Sequence, residues 1–298
     1  MPDPVRQVLS WAACSVAPSA RVVSARGMRA GGNPWLLRLA DADGTDEVVL
    51  KTGDVTTDLD RRQLITTVAA LELAACHALP APRLIAADLD GGAAGTMAVL
   101  MTVLPGSSQI PRVASAARLR ALGAVAGALQ RVALAPRPGL ELRTRALYDV
   151  DFAGWRKSAG TSQLLAMAEE RIAGLPVPDG GLVFVHGDLW LGNTIWSGDS
   201  CSGIIGWDAA GAGSPGIDLG TLRLDVAYFS DQRRWTHRAT HQGRARRLPA
   251  RCWPDGSKRP AVRPSTSRTG TWPQPCARWA TWPTACRVTS SVSSAAQI

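Results

Sequence analysis

The chain lacks the residue patterns that mark metal-cluster, disulfide-rich and membrane-spanning proteins. Its six cysteines include no Cys-x-x-Cys pair and have no histidine partners at metal-ligand spacing. No apolar run reaches the roughly 18 residues that a transmembrane helix requires. The first residues do not follow the charged-then-apolar order of a signal peptide. We therefore expect a cytoplasmic protein with reduced thiols and no membrane partner.

Lysine is also scarce, with 3 Lys against 30 Arg, and the net charge of +9 is unevenly distributed. Residues 231–298, called the tail below, hold 13 of the 33 Lys and Arg residues but only 2 of the 24 Asp and Glu residues. Residues 1–230 consequently carry a small net negative charge. A basic composition suggests nucleic acid as a partner, but here that inference applies only to the tail.

The tail has little of what a folded core requires. It contains five residues of the Leu, Ile, Val and Phe set among its 68 residues, and such chains do not form a packed core. Three interpretations remain open: a nucleic-acid-binding segment that uses Arg and Trp, a disordered linker, or an off-frame translation of a GC-rich gene. The third agrees best with an Arg-, Pro-, Ala- and Trp-rich composition without any periodicity.

The rest of the chain predicts an α+β fold in two lobes. Strand patterns dominate the first part, where one helix pattern covers 61–79, and helix patterns over 114–134 and 162–173 follow. Pro105 and Gly106 separate the two parts like a hinge. We therefore predict an N-terminal lobe with an antiparallel sheet and one helix, a mainly helical C-terminal lobe, and the tail, with bounds of 1–105, 106–230 and 231–298.

The most informative stretch is LVFVHGDLWLGN, residues 182–193. Its first four residues form a short apolar run that is typical of a buried strand. The run leads into His186, Gly187 and Asp188, Asn193 follows five residues after the Asp, and a returning hairpin comes next. Phosphoryl transfer needs such an arrangement, because a carboxylate orients the attacking hydroxyl and oxygen donors hold Mg²⁺ against the phosphates.

Several separated blocks of the sequence resemble the aminoglycoside phosphotransferase family. They are HGDLWLGN, GIIGWDAAGAGSPGIDLG (203–220), PAPRLIAADLDG (80–91) and MAVLMTVLPG (97–106), and they occur in the family's order. The resemblance covers residues 20–229. It implies a protein-kinase-like fold whose N-terminal lobe binds the nucleotide and whose C-terminal lobe is catalytic. It also implies ATP and Mg²⁺ as cofactors and a small-molecule hydroxyl as the acceptor.

The resemblance assigns roles to the loop residues. By position, Asp188 is the catalytic base and Asn193 is a metal ligand, whereas a plain loop would use such an Asp only as a turn residue or cap. We expect His186 to brace the loop through a backbone hydrogen bond rather than to transfer protons. We expect Asp218 to be a helix N-terminal cap that braces the same loop.

The resemblance also points to residues that bind the nucleotide. Lys51, which ends a strand pattern, would hold the α- and β-phosphates, with an exposed strand-end lysine as the alternative. Gly31 and Gly32 could let a loop approach the phosphates, although an ordinary turn explains two glycines equally well. Backbone groups around Met101 and Val103, just before the hinge, would meet the adenine.

Two positions depart from the family's pattern. The family's main Mg²⁺ ligand, an Asp, is replaced by Gly206; Asp208 lies two residues further on and could reach the metal from the same face of an extended strand. The family's helix Glu, which fixes the phosphate-binding lysine, falls on Thr67, which cannot pair ionically. Glu72 lies on the same predicted helix, but it is rotated by about 140° from Thr67.

These observations predict an ATP-dependent phosphotransferase that acts on a small-molecule hydroxyl and that is impaired by Gly206 and by the altered C-terminus. Two alternatives remain. The first is a catalytically inactive nucleotide-binding protein, and the second is a nucleic-acid-binding protein that acts through the basic tail, although we do not expect nucleic acid to be the partner.

Overall fold

The computed structural model of this chain describes residues 6–29, 33–110, 115–147, 154, 160, 162–176 and 180–226. Its N-terminal part is a five-stranded antiparallel sheet in the order β1-β2-β3-β5-β4, with one helix on each face. The predicted tail and Gly31 and Gly32 lie outside the described residues. The elements are α1 (Arg6–Val16), β1 (Arg21–Gly27), β2 (Trp35–Asp41), β3 (Gly44–Gly53), α2 (Asp58–Cys76), β4 (Leu84–Asp88) and β5 (Met97–Thr102).

The interior strand β5, which lies between β3 and β4, shows why the sheet carries a helix on both faces. Side chains alternate along a strand, so Ala98 and Leu100 pack with α1 whereas Met97 and Val99 pack with Leu64 of α2. All four strand residues are fully buried, which explains the continuous apolar run in the sequence. The predicted antiparallel sheet with one internal helix is confirmed, and α1 covers its other face.

Helix α2 begins and ends close to the predicted range of 61–79. It begins at Asp58, and Asp58 and Asp60 place negative charge in its first turn, where the helix dipole favours it. The helix ends at Cys76, before Pro80, which cannot continue it. Its buried face includes Leu64, Thr67 and Leu71, so that Thr67 lies on the side that meets the rest of the protein.

The C-terminal part combines helices with short strands. Helix α3 is capped by Ser115, whose side chain accepts a hydrogen bond from Arg118 N, and its Leu122, Ala126 and Leu129 pack into the larger core with Phe184 and Trp207. The elements are α3 (Ala116–Gln130), β6 (Leu142–Arg143), α4 (Gln163–Ala173), β7 (Val183–Val185), β8 (Thr194–Ser197), β9 (Ser200–Ile204), β10 (Gly211–Gly213) and α5, described over 216–226.

The segment predicted as a hinge is fastened to the C-terminal part. Ser107 and Trp196 exchange two backbone hydrogen bonds, each 2.9 Å long. Gly106 has a φ of +118°, and a Cβ there would lie 2.2 Å from the carbonyl oxygen of Trp196. Only glycine fits this approach. Among the described helices, none has the length and apolar character to cross a membrane.

Candidate active site

The loop predicted to be catalytic follows strand β7 and runs against the backbone of a second turn. Gly187 adopts a φ of +78°, and a Cβ on it would lie 2.1 Å from the carbonyl oxygen of Ala209. Glycine is therefore required here both for its conformation and for the close approach. The contact brings the loop that carries Asp188 next to the short 3-10 helix Trp207–Ala209, which carries Asp208.

Asp188 and Asn193, five residues apart, meet in the loop as the sequence predicted. Asn193 Nδ2 donates to the Asp188 carbonyl oxygen (2.9 Å) and to Asp188 Oδ2 (2.8 Å). Burial, aided by the negative charge of Asp208, raises the pKa of Asp188 to about 6, although the hydrogen bond from Asn193 lowers it. A carboxylate with such a pKa is ionised at neutral pH and is basic enough to accept a proton.

His186 is fully buried and holds the loop in place. Its Nε2 donates to the carbonyl oxygen of Ile205 (3.0 Å), and its Nδ1 accepts from the amide of Asp188 (3.2 Å). Burial lowers the pKa of His186 to about 4, so the ring is neutral and its two nitrogens are both used by the backbone. The predicted bracing role of His186 is confirmed.

Asp218 holds the same loop through hydrogen bonds to its backbone amides. Its carboxylate accepts from the amides of His186 (2.7 Å) and Gly187 (2.9 Å), and only 2% of the residue is exposed. Burial raises the pKa of Asp218 to about 6 in spite of these two bonds. The predicted bracing is confirmed, but the predicted N-cap position is wrong: helix α5 begins at Gly216, so Asp218 lies within its first turn. Its carboxylate reaches out to the loop instead of capping its own helix.

Lys51 of β3 forms an ion pair with Asp208 of the turn after β9. The space around this pair is called the cleft below. Side chains alternate along β3, and Leu50 packs with α1, so Lys51 points to the opposite face, toward α2 and the C-terminal part. Its Nζ donates to Asp208 Oδ1, and Thr67 Oγ1 lies 2.9 Å from the same oxygen. Burial would raise the pKa of Asp208, but the charge and hydrogen bond of Lys51 hold it below its usual value.

Gly206 stands at the position where the resemblance to the family predicts an Asp that binds Mg²⁺. Its φ and ψ of 81° and 48° lie in the left-handed region, and a Cβ on it would lie 3.0 Å from Asn193 Oδ1. A side chain at position 206 would therefore point at Asn193. After glycine, Asp and Asn are among the residues that tolerate this conformation best.

The remaining oxygen donors match the chemistry of Mg²⁺, with one carboxylate fewer than the family's pattern. Neither Asn193 Oδ1 nor Asp208 Oδ2 accepts a hydrogen bond from the residues described by the structure. Mg²⁺ is commonly held by one or two carboxylates together with substrate phosphates and water. In the described part of the chain, no group of three or more His, Cys, Asp or Glu side chains could hold a metal ion.

Of the predicted nucleotide-binding residues, Lys51 is brought to the cleft and two others lie at the end of β5. Met101 is half-buried against the core, and Val103 follows the strand with 37% of its surface exposed. Met101 is paired with Val49 of β3 and Leu84 of β4, and the adenine contact stays a prediction. Glu72 is exposed and forms no ion pair with Lys51 among the described residues.

Two contributors were missed or dismissed by sequence reasoning. Thr67 was considered only as a residue that cannot pair ionically with Lys51, which holds, and its hydrogen bond to Asp208 was not predicted. Arg143 is 4% exposed, and its Nε donates to the carbonyl oxygens of Ala209 (3.1 Å) and Ala210 (3.0 Å). It thereby fixes the turn that carries Asp208. Nothing in the sequence around Arg143 distinguishes it from the many surface arginines.

Aromatic packing joins the loop to the same turn. The Trp207 ring stacks on Phe184 at 5.4 Å between centroids and meets the edge of His186 at 4.7 Å. Its Nε1 donates to the carbonyl oxygen of Ile204 (2.9 Å). The loop with Asp188 and the turn with Asp208 are therefore held together both by packing and by backbone hydrogen bonds.

The chain belongs to the phosphotransferase enzyme family, whose model matches residues 29–254. This match confirms the resemblance seen in the sequence and defines the chain, by family, as a small-molecule phosphotransferase. No curated protein matches the chain.

Two solved structures show what this chain is similar to. The macrolide 2'-phosphotransferase MphH from Brachybacterium faecium is similar with a TM-score of 0.52 and 19% identity, over 82% of this chain and 85% of that one. The aminoglycoside phosphotransferase APH(3'')-Id from Streptomyces rimosus has a TM-score of 0.44 and 21% identity, over 70% of this chain and 80% of that one. The first likeness confirms the two-lobed, protein-kinase-like fold.

Proposed function

We propose that this chain transfers the γ-phosphoryl group of ATP to a hydroxyl group of a small molecule, in the cytoplasm. The observation that carries the proposal is the loop in which Asp188 is held by Asn193 while His186 and Asp218 fix the backbone beneath it. In this proposal residues 1–105 form the nucleotide-binding lobe and residues 106–230 the catalytic lobe. Family membership supports the reaction type.

Each residue of the cleft has a defined task in the proposed reaction. The Asp188 carboxylate accepts a hydrogen bond from the acceptor hydroxyl and aligns its oxygen with the γ-phosphorus. As the new oxygen–phosphorus bond forms, the bond between the γ-phosphorus and the β–γ bridging oxygen breaks, ADP leaves with that oxygen, and the hydroxyl proton passes to Asp188. Lys51 binds the phosphate oxygens through its charge. Adenine would contact the backbone near Met101 and Val103, and Gly31 and Gly32, which lie outside the described residues, would let a loop approach the phosphates.

Asn193 and Asp208 are the residues that would hold Mg²⁺. When bound, the ion would neutralise charge on the phosphates. The absence of a carboxylate at Gly206 weakens this site, and a loss of about 3 kcal/mol of transition-state stabilisation corresponds to roughly a hundredfold in rate. We therefore propose that the phosphotransferase activity is impaired.

The test compares Asp188→Asn with Asp199→Asn, which changes an exposed aspartate in the turn between β8 and β9. Phosphate transfer from ATP would be followed against a panel of hydroxylated small molecules. We expect Asp188→Asn to lower kcat at least a hundredfold with little change in the KM for ATP, since the carboxylate meets the acceptor and not the nucleotide. We expect Asp199→Asn to leave both unchanged. Retention of the wild-type kcat by Asp188→Asn would show that Asp188 is only a turn residue.

Gly206 favours a second candidate, a catalytically inactive nucleotide-binding protein. A thermal-shift measurement with ATP, with and without Mg²⁺, distinguishes the two when combined with the transfer assay. Stabilisation by ATP without any turnover would support the inactive protein. The nucleic-acid alternative concerns only the tail, and its test is salt-dependent DNA binding by the full chain.

A further inference from the structure

The partner of Lys51 is the feature of the cleft that departs furthest from the family's pattern. Lys51 has one ion pair among the described residues, and it is with Asp208. The helix position from which an acid would approach Lys51 is occupied by Thr67, which is 3% exposed. Because a hydroxyl carries no charge, Thr67 cannot balance Lys51, and it instead contacts the carboxylate that does.

The two contacts on Asp208 involve the same oxygen. Lys51 Nζ and Thr67 Oγ1 both reach Oδ1, whereas Oδ2 accepts no hydrogen bond from the described residues. The side chain of Asp208 remains 34% exposed. One oxygen is therefore fixed by the N-terminal part of the protein, and the other is presented to the cleft.

The hydroxyl of Thr67 has one hydrogen and two acceptors within reach. The first is the carbonyl oxygen of Gln63, one turn earlier in α2 at 2.8 Å, and the second is Asp208 Oδ1 at 2.9 Å. A hydrogen bond to a charged acceptor is about twice as strong as one to a neutral acceptor. The carboxylate is therefore the favoured partner.

We propose that Thr67 is a positioning residue, which together with Lys51 fixes Asp208 Oδ1 and so presents Oδ2 toward a divalent cation bound with the nucleotide. This inference rests on the proposed function for the cation and the nucleotide. The contact itself exists without either of them. Helix α2 thus contacts Asp208 through Thr67, whereas the family's helix acid would contact the lysine itself.

Thr66 provides a matched control for Thr67. It is the preceding residue of α2, it is 1% exposed, and it has no contact with Asp208. The variants Thr67→Val and Thr66→Val each remove one buried hydroxyl and keep the shape of the side chain. Thr67→Ser keeps the hydroxyl and removes a methyl group.

The first measurement is the Mg²⁺ concentration that gives half-maximal binding of ATP, determined by calorimetry. We expect this concentration to rise about tenfold in Thr67→Val, as for the loss of a hydrogen bond to a charged group. We expect it to stay within twofold of wild type in Thr67→Ser and Thr66→Val. Equal effects of the two valine variants, no effect of Thr67→Val, or a failure of serine to restore binding would each overturn the proposal.

The second measurement needs no nucleotide. Urea unfolding of wild type, Thr67→Val, Asp208→Ala and the double variant gives the coupling between the two side chains. We expect the effect of Thr67→Val on the folding equilibrium constant to differ about tenfold between the backgrounds with and without Asp208. We expect the effect of Thr66→Val to be the same in both backgrounds. Coupling without any ATP binding by the wild type would overturn the proposed function and the cation role of Thr67 together. Absence of coupling with normal ATP binding would overturn this inference alone.

Discussion

Removing the carboxylate of Asp218 should destabilise the catalytic loop and the whole fold. In Asp218→Ala the amides of His186 and Gly187 lose their acceptor, at a site where only 2% of Asp218 was exposed. An unsatisfied buried donor costs about 1–3 kcal/mol, so two of them cost about 2–6 kcal/mol. Since a domain is stable by about 5–15 kcal/mol in total, this single change removes a large share.

The free energy of unfolding of Asp218→Asn, compared with wild type, should also depend on pH, and the direction of the change follows from the pKa of Asp218. Burial raises the pKa of Asp218 from 3.8 to about 6. The folded state therefore binds the proton more tightly than the unfolded state does, and the wild type gains stability as the pH falls from 7 toward 4. The gain is about 3 kcal/mol at 1.36 kcal/mol per pKa unit. Because Asn cannot titrate, Asp218→Asn does not gain this stability. Its free energy of unfolding should therefore fall further below that of wild type, by about this amount, as the pH falls.

The assay is urea unfolding followed by tryptophan fluorescence at pH 7 and pH 4. Asp225→Ala is the control, because Asp225 accepts a single amide hydrogen bond from Leu191 (2.8 Å) and is only partly buried. We expect Asp225→Ala to cost about 0.5–1.5 kcal/mol. A loss below about 0.5 kcal/mol for Asp218→Ala, within the range of ordinary surface changes, would refute the bracing role. So would a control that costs as much as Asp218→Ala.

Three further changes test the loop, the metal side and the hinge. In His186→Gln, the pH dependence that follows from a pKa lowered from 6.5 to about 4 disappears. The wild type should therefore lose about 3 kcal/mol relative to this variant between pH 6.5 and 4, and parallel urea-unfolding profiles would contradict this. Gly206→Asp should raise Mg²⁺-dependent ATP turnover, whereas Gly206→Asn, equally tolerant of the left-handed backbone but uncharged, should not; equal turnover would refute the assignment. Gly106→Ala, whose Cβ would lie 2.2 Å from the Trp196 carbonyl oxygen, should lower the Tm far more than Gly198→Ala, also at positive φ but in open space; equal shifts would show that the contact is not limiting.

Local patterns in the sequence were sufficient for the fold. The alternating and continuous apolar runs predicted the sheet, and the helix pattern before Pro80 predicted α2 to within three residues at each end. The loop with Asp188 and Asn193 was predicted because both residues and the strand before them lie within twelve positions. Such signals depend on neighbours along the chain, where spacing alone determines which side chains meet.

Contacts between distant segments were not predictable in the same way. Lys51 and Asp208 are 157 positions apart, and Thr67 and Asp208 are 141 positions apart. Position 67 was predicted to be the place of the family's helix acid, and the contact of Thr67 with Asp208 was not predicted, because it depends on how α2 meets the turn after β9. The reach of Asp218 to the loop depends in the same way on where α5 begins, and no local signal fixes this.

The two departures of the cleft, Thr67 and Gly206, are better understood together than separately. Each removes one carboxylate that the family's pattern would supply, so that Lys51 is left with Asp208 as its counter-ion. Loss of the acid at position 67 alone would leave Lys51 competing with the cation for two carboxylates. With both acids absent, Lys51 and Asp208 form a neutral pair that is stable without a cation. A carboxylate restored at Gly206 then adds a negative charge beside Asn193, which a bound divalent cation would balance. This is the physical reason why its effect on turnover should depend on Mg²⁺ rather than on ATP binding alone.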